Sequence, residues 1–372
     1  MSAIQKLTLA SLLAMLPWAN GLAEVRLPAA FGDHMVLQAE LPLRVWGEAD
    51  PGELVAVKLG RMAEKTVADG RGRWSVEFPP QEVSKTAVVF RIDGTNSIEL
   101  ADVLVGEVWI AAGQSNMEWP LKQVANAKEE IARSDQPQIR LLRLQGAARG
   151  GSGVYNEQHF ARMAPEKFCQ GSWQRCASDS AREFSAVAYF FGSSLHESLD
   201  VPVGIICPAI GGTPAEAWVR RDALASSPEL SNMVCGNWLE NDVLDEWCRK
   251  RARSNLSGAI AARLEVPGDD LGPYHSFKPG FMWESGIAPL APMAVRGVIW
   301  YQGESNAESP RRVAQHQDIF ETLVTDWREQ WGRKDLPFLF VQLPALGRPN
   351  WPAFRQSQLN CLQSLRYAGM VV

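Results

Sequence analysis

The sequence lacks the features that would assign it to a metalloenzyme or a nucleic-acid-binding protein. It has only five histidines in 372 residues, and no Cys/His spacing or H-E-x-x-H motif typical of zinc sites occurs. We therefore predict no metal requirement. Its 37 basic side chains are outnumbered by 42 acidic ones and form no cluster, which argues against a nucleic-acid partner.

The sequence also lacks a hydrophobic run long enough for a membrane-spanning helix near its N-terminus. The apolar run Leu7 to Leu16 is well short of the roughly twenty residues that a span requires. Lys6 precedes this run and Gly21-Leu22-Ala23 follows it, a pattern typical of a secretory signal peptide cleaved after Ala23. We therefore predict that residues 1–23 are removed and that the mature protein, with no membrane span, is periplasmic or secreted.

Six cysteines in an exported chain allow up to three disulfides. Local loops closed by Cys169 with Cys176 and by Cys235 with Cys248 are plausible, although the sequence does not decide the pairing. Cys207 ends an apolar run and is expected to be a buried thiol.

Residues 24–101 contain short runs of alternating apolar residues, separated by turn signals such as Asp50-Pro51-Gly52 and Asp93-Gly94. This pattern predicts a small β-sandwich. It is either a carbohydrate-binding domain or, as we favour, an accessory domain that braces the following one. The strand candidates are Met35 to Gln38, Leu43 to Trp46, Leu54 to Leu59, Trp74 to Phe78 and Ala87 to Ile92.

From residue 102 to 372 the pattern changes to strands alternating with helices, which predicts an α/β domain with a mainly parallel sheet and helices on both faces. Helices are predicted at Ser185 to Leu199 and at Val313 to Trp331. Residues 146–153 and 226–281 are predicted to be insertions over the site. The strand candidates are Val103 to Ala112, Ile139 to Leu144, Val203 to Cys207, Val295 to Tyr301 and Phe338 to Gln342.

Three polar, glycine-containing loops follow three of these strands directly. Because ligands bind at the carboxyl ends of such strands, Ser115, in Gly113-Gln114-Ser115-Asn116-Met117, is a candidate nucleophile. The Gly211-Gly212 pair leaves backbone N–H groups open to a developing oxyanion. In the third loop, Gln302 can donate an amide N–H and Glu304 can anchor the loop. Taken singly, each loop is also compatible with an ordinary turn or helix cap.

Together these motifs closely resemble the sialate O-acetylesterase family of SGNH-type serine esterases, from about Leu27 to the last residue. The motifs are Asp33-His34-Met35-Val36-Leu37-Gln38, Trp46-Gly47 with Pro51-Gly52, Gly106-Glu107-Val108-Trp109, Gly113 to Pro120, Phe184 to Phe190, Pro202 to Ile206, Gly211-Gly212-Thr213 and Trp300 to Asn306.

The resemblance implies an SGNH, flavodoxin-like fold and a cofactor-free esterase that removes O-acetyl groups from sialic acid or related sugars. Ser115 would be the nucleophile, forming an acetyl-serine intermediate. The oxyanion donors would be the Ser115 N–H, the Gly211-Gly212 turn and the Gln302 side chain. Asn116, Glu304 and Asn306 would support the site or contact substrate.

The sequence departs from the family in one respect, because it contains no C-terminal Asp-x-x-His to complete the triad. The base is therefore unknown. Glu304 would be a poor substitute for imidazole because its reference pKa is too low. His316, on the helix after the Gln302 loop, is the first histidine to consider, although its glutamine neighbours suggest a solvated surface position. Ser305 is a rival nucleophile with a weaker motif match.

Residues 367–372 resemble the beginning of a strand, so we expect that the sequence is a truncated form of a longer protein whose Asp-x-x-His lies shortly beyond Val372.

Two other functions stay open. One is an acetyl xylan or polysaccharide deacetylase, and the other is a catalytically inactive protein that binds acetylated glycans. The oligomeric state is open. Tryptophans near the loops could stack on a sugar or belong to the core, namely Trp119, Trp218, Trp283 and Trp300.

Overall fold

The computed structural model of the chain describes residues 24–372. The predicted signal peptide, with its cleavage after Ala23, lies outside the described residues. The strands are β1 Val36–Gln38, β2 Leu43–Glu48, β3 Leu54–Leu59, β4 Met62–Val67, β5 Arg73–Phe78, β6 Ser84–Asp93, β7 Ser97–Gly113, β8 Gln136–Arg143, β9 Gln145–Gly146, β10 Cys169–Gln170, β11 Trp173–Cys176, β12 Val203–Cys207, β13 Gly268–Asp269, β14 Gly272–Pro273, β15 Gly297–Tyr301, β16 Phe338–Val341 and β17 Ala368–Val371.

The helices alternate with the strands in the second part of the chain. They are α1 Ser115–Glu118, α2 Ala127–Ala132, α3 Glu157–Phe160, α4 Pro165–Phe168, α5 Ser178–Glu183, α6 Ala186–Leu199, α7 Arg221–Ser226, α8 Glu246–Ala262, α9 Pro310–Gln330 and α10 Trp351–Ser364. Short 3-10 turns occur at Leu121–Gln123, Ala215–Trp218, Ser231–Val234 and Glu304–Asn306, and a π-helical turn occurs at Trp283–Ile287.

The N-terminal strands form two small sheets around a common core. Strands β2 and β5 pair antiparallel, while β4, β3, β6 and the first half of β7 form a second antiparallel sheet that β1 joins in parallel with β7. Side chains from both sheets, such as Val45 and Val57, are fully buried in one hydrophobic cluster. The strands lie where the apolar alternation predicts them, apart from the polar, largely exposed β4, which the pattern misses.

The central sheet has the strand order β11-β8-β12-β7-β15-β16-β17, and all neighbours are parallel except β11 with β8. One face, including Ile110 and Trp300, packs in the same cluster as α9. The other face, including Ala111 and Ile299, packs against α6. The predicted α/β class, with a mainly parallel sheet and helices on both faces, is therefore confirmed.

Strand β7 links the two groups of strands. Its first half pairs with β1 and β6, and its second half pairs with β12 on one side and β15 on the other. The predicted domain boundary between residues 101 and 102 falls within this strand, and the division into two domains stays a prediction. Because the chain passes from β12 across β7 to β15, the carboxyl ends of these three strands form the switch point where α/β sheets bind ligands.

All six cysteines lie in the described part of the chain and all are free thiols. The local disulfides considered above are therefore absent. Cys169 packs against one hydrophobic cluster and Cys176 belongs to the other, while Cys235 is exposed and Cys248 is buried. Cys207 is buried as expected, and burial raises the pKa of its thiol to about 12. None of the helices in residues 24–372 combines the length and apolar character needed to cross a membrane.

Candidate active site

Ser115 is the first residue of α1 and lies exposed just beyond the end of β7. Gly113, the last residue of β7, pairs with Tyr301 of β15 and has a φ of +135°. A Cβ atom on Gly113 would lie 2.2 Å from the Tyr301 carbonyl oxygen. Glycine is therefore required both for this backbone conformation and for the close approach of the two strands.

The three predicted loops meet around Ser115. Gln114, Ser115, Gly211, Gly212, Glu304 and Ser305 line one open cavity of about 810 Å³. Its remaining wall comes largely from the two segments predicted as insertions, including Arg149 in the first and Trp247, Arg251 and Phe277 in the second. The sequence therefore predicted which loops converge, while their roles in catalysis stay predictions.

The Gly211 N–H lies beside Ser115 and binds an anionic oxygen. It donates to Oε2 of Glu118 at 2.8 Å, and Oε1 of the same carboxylate pairs with Arg149 at 2.7 Å. Burial raises the pKa of Glu118, opposed by the nearby Arg149 charge. A Cβ atom on Gly211 would lie 3.6 Å from the Ser115 Cβ, so this N–H belongs to the immediate surroundings of the hydroxyl. Gly212 has a φ of +82°.

Gln302 is completely buried and does not line the cavity. Its Nε2 lies 2.6 Å from Asn306 Oδ1, 3.0 Å from Gln114 Oε1 and 3.3 Å from the Thr213 carbonyl oxygen. Gln114 Oε1 also accepts from the Gly303 N–H at 3.3 Å. The Gln302 amide therefore ties the three loops together, and its predicted role as an oxyanion donor stays a prediction.

Asn306 joins the Gln302 loop to the turn after the glycine pair. Its Oδ1 accepts from the Ala215 N–H at 2.9 Å, and its Nδ2 donates to Glu216 Oε2 at 3.0 Å. The other Glu216 oxygen pairs with Arg312 at 2.5 Å, and both of these side chains are only 2% exposed. A buried ion pair thus fixes the orientation of Asn306.

Asn116 and Glu304 connect the serine loop to the Gln302 loop. Asn116 Nδ2 donates to Glu304 Oε1, whereas Glu304 Oε2 is buried and has no hydrogen-bond partner within residues 24–372. Burial raises the pKa of Glu304, opposed in part by Arg348. The carboxyl group is therefore easier to protonate than an ordinary glutamate.

None of the five histidines, all of which are described, lines the cavity. His316 lies between α9 and α10, with Nδ1 2.8 Å from Ser357 Oγ and its ring stacked on Phe320. The expectation of a solvated surface position is therefore wrong. His316 shares the buried face of α9 with Val313 and Phe320, and its glutamine neighbours lie on more exposed positions. Burial lowers the pKa of His316 to about 3.

The rival nucleophile Ser305 is also in a different environment from Ser115. It is 3% exposed, and its Oγ donates to the Gly212 carbonyl oxygen at 2.9 Å.

Of the four tryptophans near the loops, Trp218, Trp283 and Trp300 are buried core residues. Trp119, next to α1, is 49% exposed and is the one whose ring is open to solvent.

Sequence reasoning missed the charged residues around Ser115. Glu118 belongs to the quoted serine motif, but only the folded chain brings it to Gly211. Arg149, Arg251 and Arg348 line the cavity. Arg149 and Arg348 lie in irregular segments, which offered no periodic signal, and Arg251 lies on α8, which the sequence pattern did not reveal. The Arg251 guanidinium lies over the Trp247 ring, 5.7 Å from its centre.

Comparisons with known proteins agree with the motif analysis. Residues 284–371 match the family model described as carbohydrate esterase, sialic acid-specific acetylesterase. Human sialate O-acetylesterase is 28% identical over 366 residues, covering 91% of this chain and 61% of the human protein. The rat protein of the same name is 30% identical over 347 residues, covering 86% of this chain and 60% of that protein. The chain therefore spans less than two thirds of these relatives.

The fold is similar to that of a carbohydrate acetylesterase from Xanthomonas citri. That structure superposes with a TM-score of 0.71 at 29% identity, covering 94% of this chain and 68% of the other. Residues 284–371 therefore match the sialic acid-specific acetylesterase family model, and most of the chain is similar to sialate O-acetylesterases and to this carbohydrate acetylesterase.

Proposed function

We propose that the chain is a serine esterase that removes O-acetyl groups from sialic acid or related sugars. The observation that best supports the proposal is the exposed Ser115 hydroxyl in a large cavity beside the Gly211 N–H, which binds an anionic oxygen of Glu118. Such an N–H suits the negative charge that develops on an ester carbonyl oxygen.

In the proposed reaction, Ser115 Oγ bonds to the acetyl carbonyl carbon and loses its proton to a base. The sugar oxygen then leaves with a proton, and water hydrolyses the acetyl-serine to acetate and free enzyme. The proposed oxyanion donors are the Ser115 N–H and the Gly211-Gly212 turn. Gln302 supports them by holding Gln114 and Asn306 in place.

Arg149, Arg251 and Arg348 line the cavity together with Glu304 and Glu308, and Arg149 and Arg348 pair with Glu118 and Glu308. Arg251 is the arginine that favours a sugar with a carboxylate, because arginine binds carboxylates through two parallel hydrogen bonds. Arg251 makes no ion pair with a carboxylate among residues 24–372, so its donors are open to a ligand. Sialic acid has such a group, whereas acetylated xylan provides mainly neutral sugar units. A xylan deacetylase is therefore the second choice.

A non-catalytic glycan-binding function is supported by a different observation, namely that no histidine of the described residues lines the cavity. Loss of one triad member typically lowers the rate by several orders of magnitude and leaves about 10³- to 10⁴-fold catalysis over water. The two functions differ in whether acetate release depends on Ser115.

The test compares acetate release from O-acetylated sialic acid and from acetylated xylan. We expect faster release from the sialic acid and no enzymatic release by S115A. The matched variant S305A removes the neighbouring hydroxyl and should retain Ser115-dependent turnover. Glycan binding with equal acetate release by native protein and S115A would refute the esterase proposal and favour the binding function.

We also propose that the protein acts in the periplasm or outside the cell, as the signal-peptide prediction implies. N-terminal sequencing of protein purified from its source should begin at Glu24. Retention of Met1 would refute this proposal.

A further inference from the structure

A second, smaller cleft adjoins the cavity described above, and the two meet at Ser115. It has a volume of about 370 Å³ and shares Ser115 and Arg149 with the larger cavity. Trp119 and Pro120 form its apolar part, and Arg143 contributes a guanidinium group. Clefts of about 300–1,000 Å³ are typical of ligand sites in proteins. A glycan whose ester is bound at Ser115 can therefore extend into the larger cavity, into the second cleft, or into both.

Trp119 is an exposed aromatic side chain on a fixed backbone in this second cleft. Its carbonyl oxygen accepts from the Ala186 N–H at 2.8 Å, and the next residue, Pro120, bridges to Ser185. Leu121 is completely buried. The backbone is thus fixed on both sides, while 49% of Trp119 stays open to solvent. A sugar ring can stack on such a surface with little cost in side-chain entropy.

The charged side chains of the cleft leave one set of donors open. Lys122 pairs with Glu183 at 2.7 Å, and Arg149 pairs with Glu118 at the same distance. Arg143, at the end of β8, makes no ion pair with a carboxylate in the part of the chain that the structure describes. Its planar fork of N–H groups is therefore available to hydroxyl or carboxylate oxygens of a ligand.

We propose that this cleft binds the sugar residue next to the acetylated one, with its ring stacked on Trp119 and its oxygens bound by Arg143. The acetylated sugar itself occupies the larger cavity. The inference rests on the proposed function and extends it from a single sugar to a glycan of at least two units.

The test measures binding in the S115A background, so that the acetyl group stays intact. The probes are O-acetylated sialic acid and the same sugar joined to lactose, and calorimetry gives the Kd of each. The trisaccharide should bind about two- to tenfold more tightly, the range that aromatic stacking provides. W119A and R143Q should remove this advantage without changing the Kd of the monosaccharide, while W119F should retain part of it.

W247A is the matched control, because Trp247 is also a partly exposed tryptophan but lines the larger cavity and not the second cleft. It should weaken both probes by the same factor. Equal Kd values for the two probes in S115A, or equal weakening of both by W119A, would overturn the subsite and leave the proposed function standing. No binding of either probe to folded S115A would refute both proposals.

Discussion

Removing one member of the buried Glu216–Arg312 ion pair should destabilise the protein severely. The two side chains are 2.5 Å apart and each is 2% exposed, so neither charge can be solvated by water after its partner is lost. Glu216→Ala leaves the Arg312 guanidinium with Gln315 as its one remaining side-chain hydrogen-bond partner in the described residues. It also removes the acceptor of Asn306 Nδ2.

The expected loss in the free energy of unfolding is about 3–5 kcal/mol for Glu216→Ala or for Arg312→Met, because each leaves an uncompensated buried charge. The double variant Glu216→Leu with Arg312→Met removes both charges and fills the space with apolar atoms. It should be more stable than either single variant, since the desolvation cost disappears with the pair.

Urea unfolding of all four proteins provides the measurement, with the midpoint compared at unchanged slope. The matched control is Glu48→Ala, because Glu48 pairs with Arg26 at 3.2 Å but is 65% exposed, and this change should cause no measurable loss. A loss for Glu216→Ala no larger than for the control would refute the reasoning. So would a double variant whose loss equals the sum of the single losses.

Three further predictions concern the pH dependence of stability, the space around Gly113 and the catalytic base. Burial lowers the pKa of His316 to about 3 from 6.5, so below pH 6.5 the unfolded chain binds a proton that the folded chain does not. His316 should therefore lower the free energy of unfolding by up to about 1.4 kcal/mol for each unit that the pH falls below 6.5. Urea midpoints measured between pH 7 and pH 4 should accordingly fall less in H316N than in the native protein. Gly113→Ala should yield misfolded or strongly destabilised protein in thermal unfolding, because the new Cβ meets Tyr301, whereas Gly70→Ala, with no neighbour within 4 Å, should unfold as the native chain does. Added imidazole should accelerate acetate release by the 372-residue chain but not by S115A, because no histidine of the described residues lines the cavity; equal rates with and without imidazole would contradict a missing base.

The sequence predicted correctly those strands and helices whose buried positions are occupied by large apolar residues in a regular pattern. Strand β12 begins and ends where the apolar run predicts it, and α6 begins after Ser185, whose side chain accepts from the Ala188 N–H. Helix α8 was missed within a predicted insertion. Its buried face consists of Cys248, Ala252, Asn255, Leu256 and Ala259, in which small and polar residues weaken the hydrophobic period.

The sequence predicted which loops form the candidate site, but it did not predict which side chains contact one another there. Ser115, Gly211 and Glu304 converge because parallel strands end at the same edge of a sheet. The pairing of Glu118 with Gly211 joins residues 93 positions apart, and nothing in the local pattern indicates it. His316 was misplaced because its immediate neighbours are polar, although its position on α9 decides its burial.

The continuity of β7 affects how the protein unfolds and whether its N-terminal part can be exchanged as a separate domain. One uninterrupted strand supplies backbone hydrogen bonds to β1 and β6 of one N-terminal sheet and, a few residues later, to the central sheet that presents Ser115. Amide hydrogens of β6 and β15 should therefore exchange with solvent through a shared opening event. Since β7 also belongs to the N-terminal sheet that contains β1 and β6, replacing that sheet by another domain would require cutting the strand that leads to Ser115.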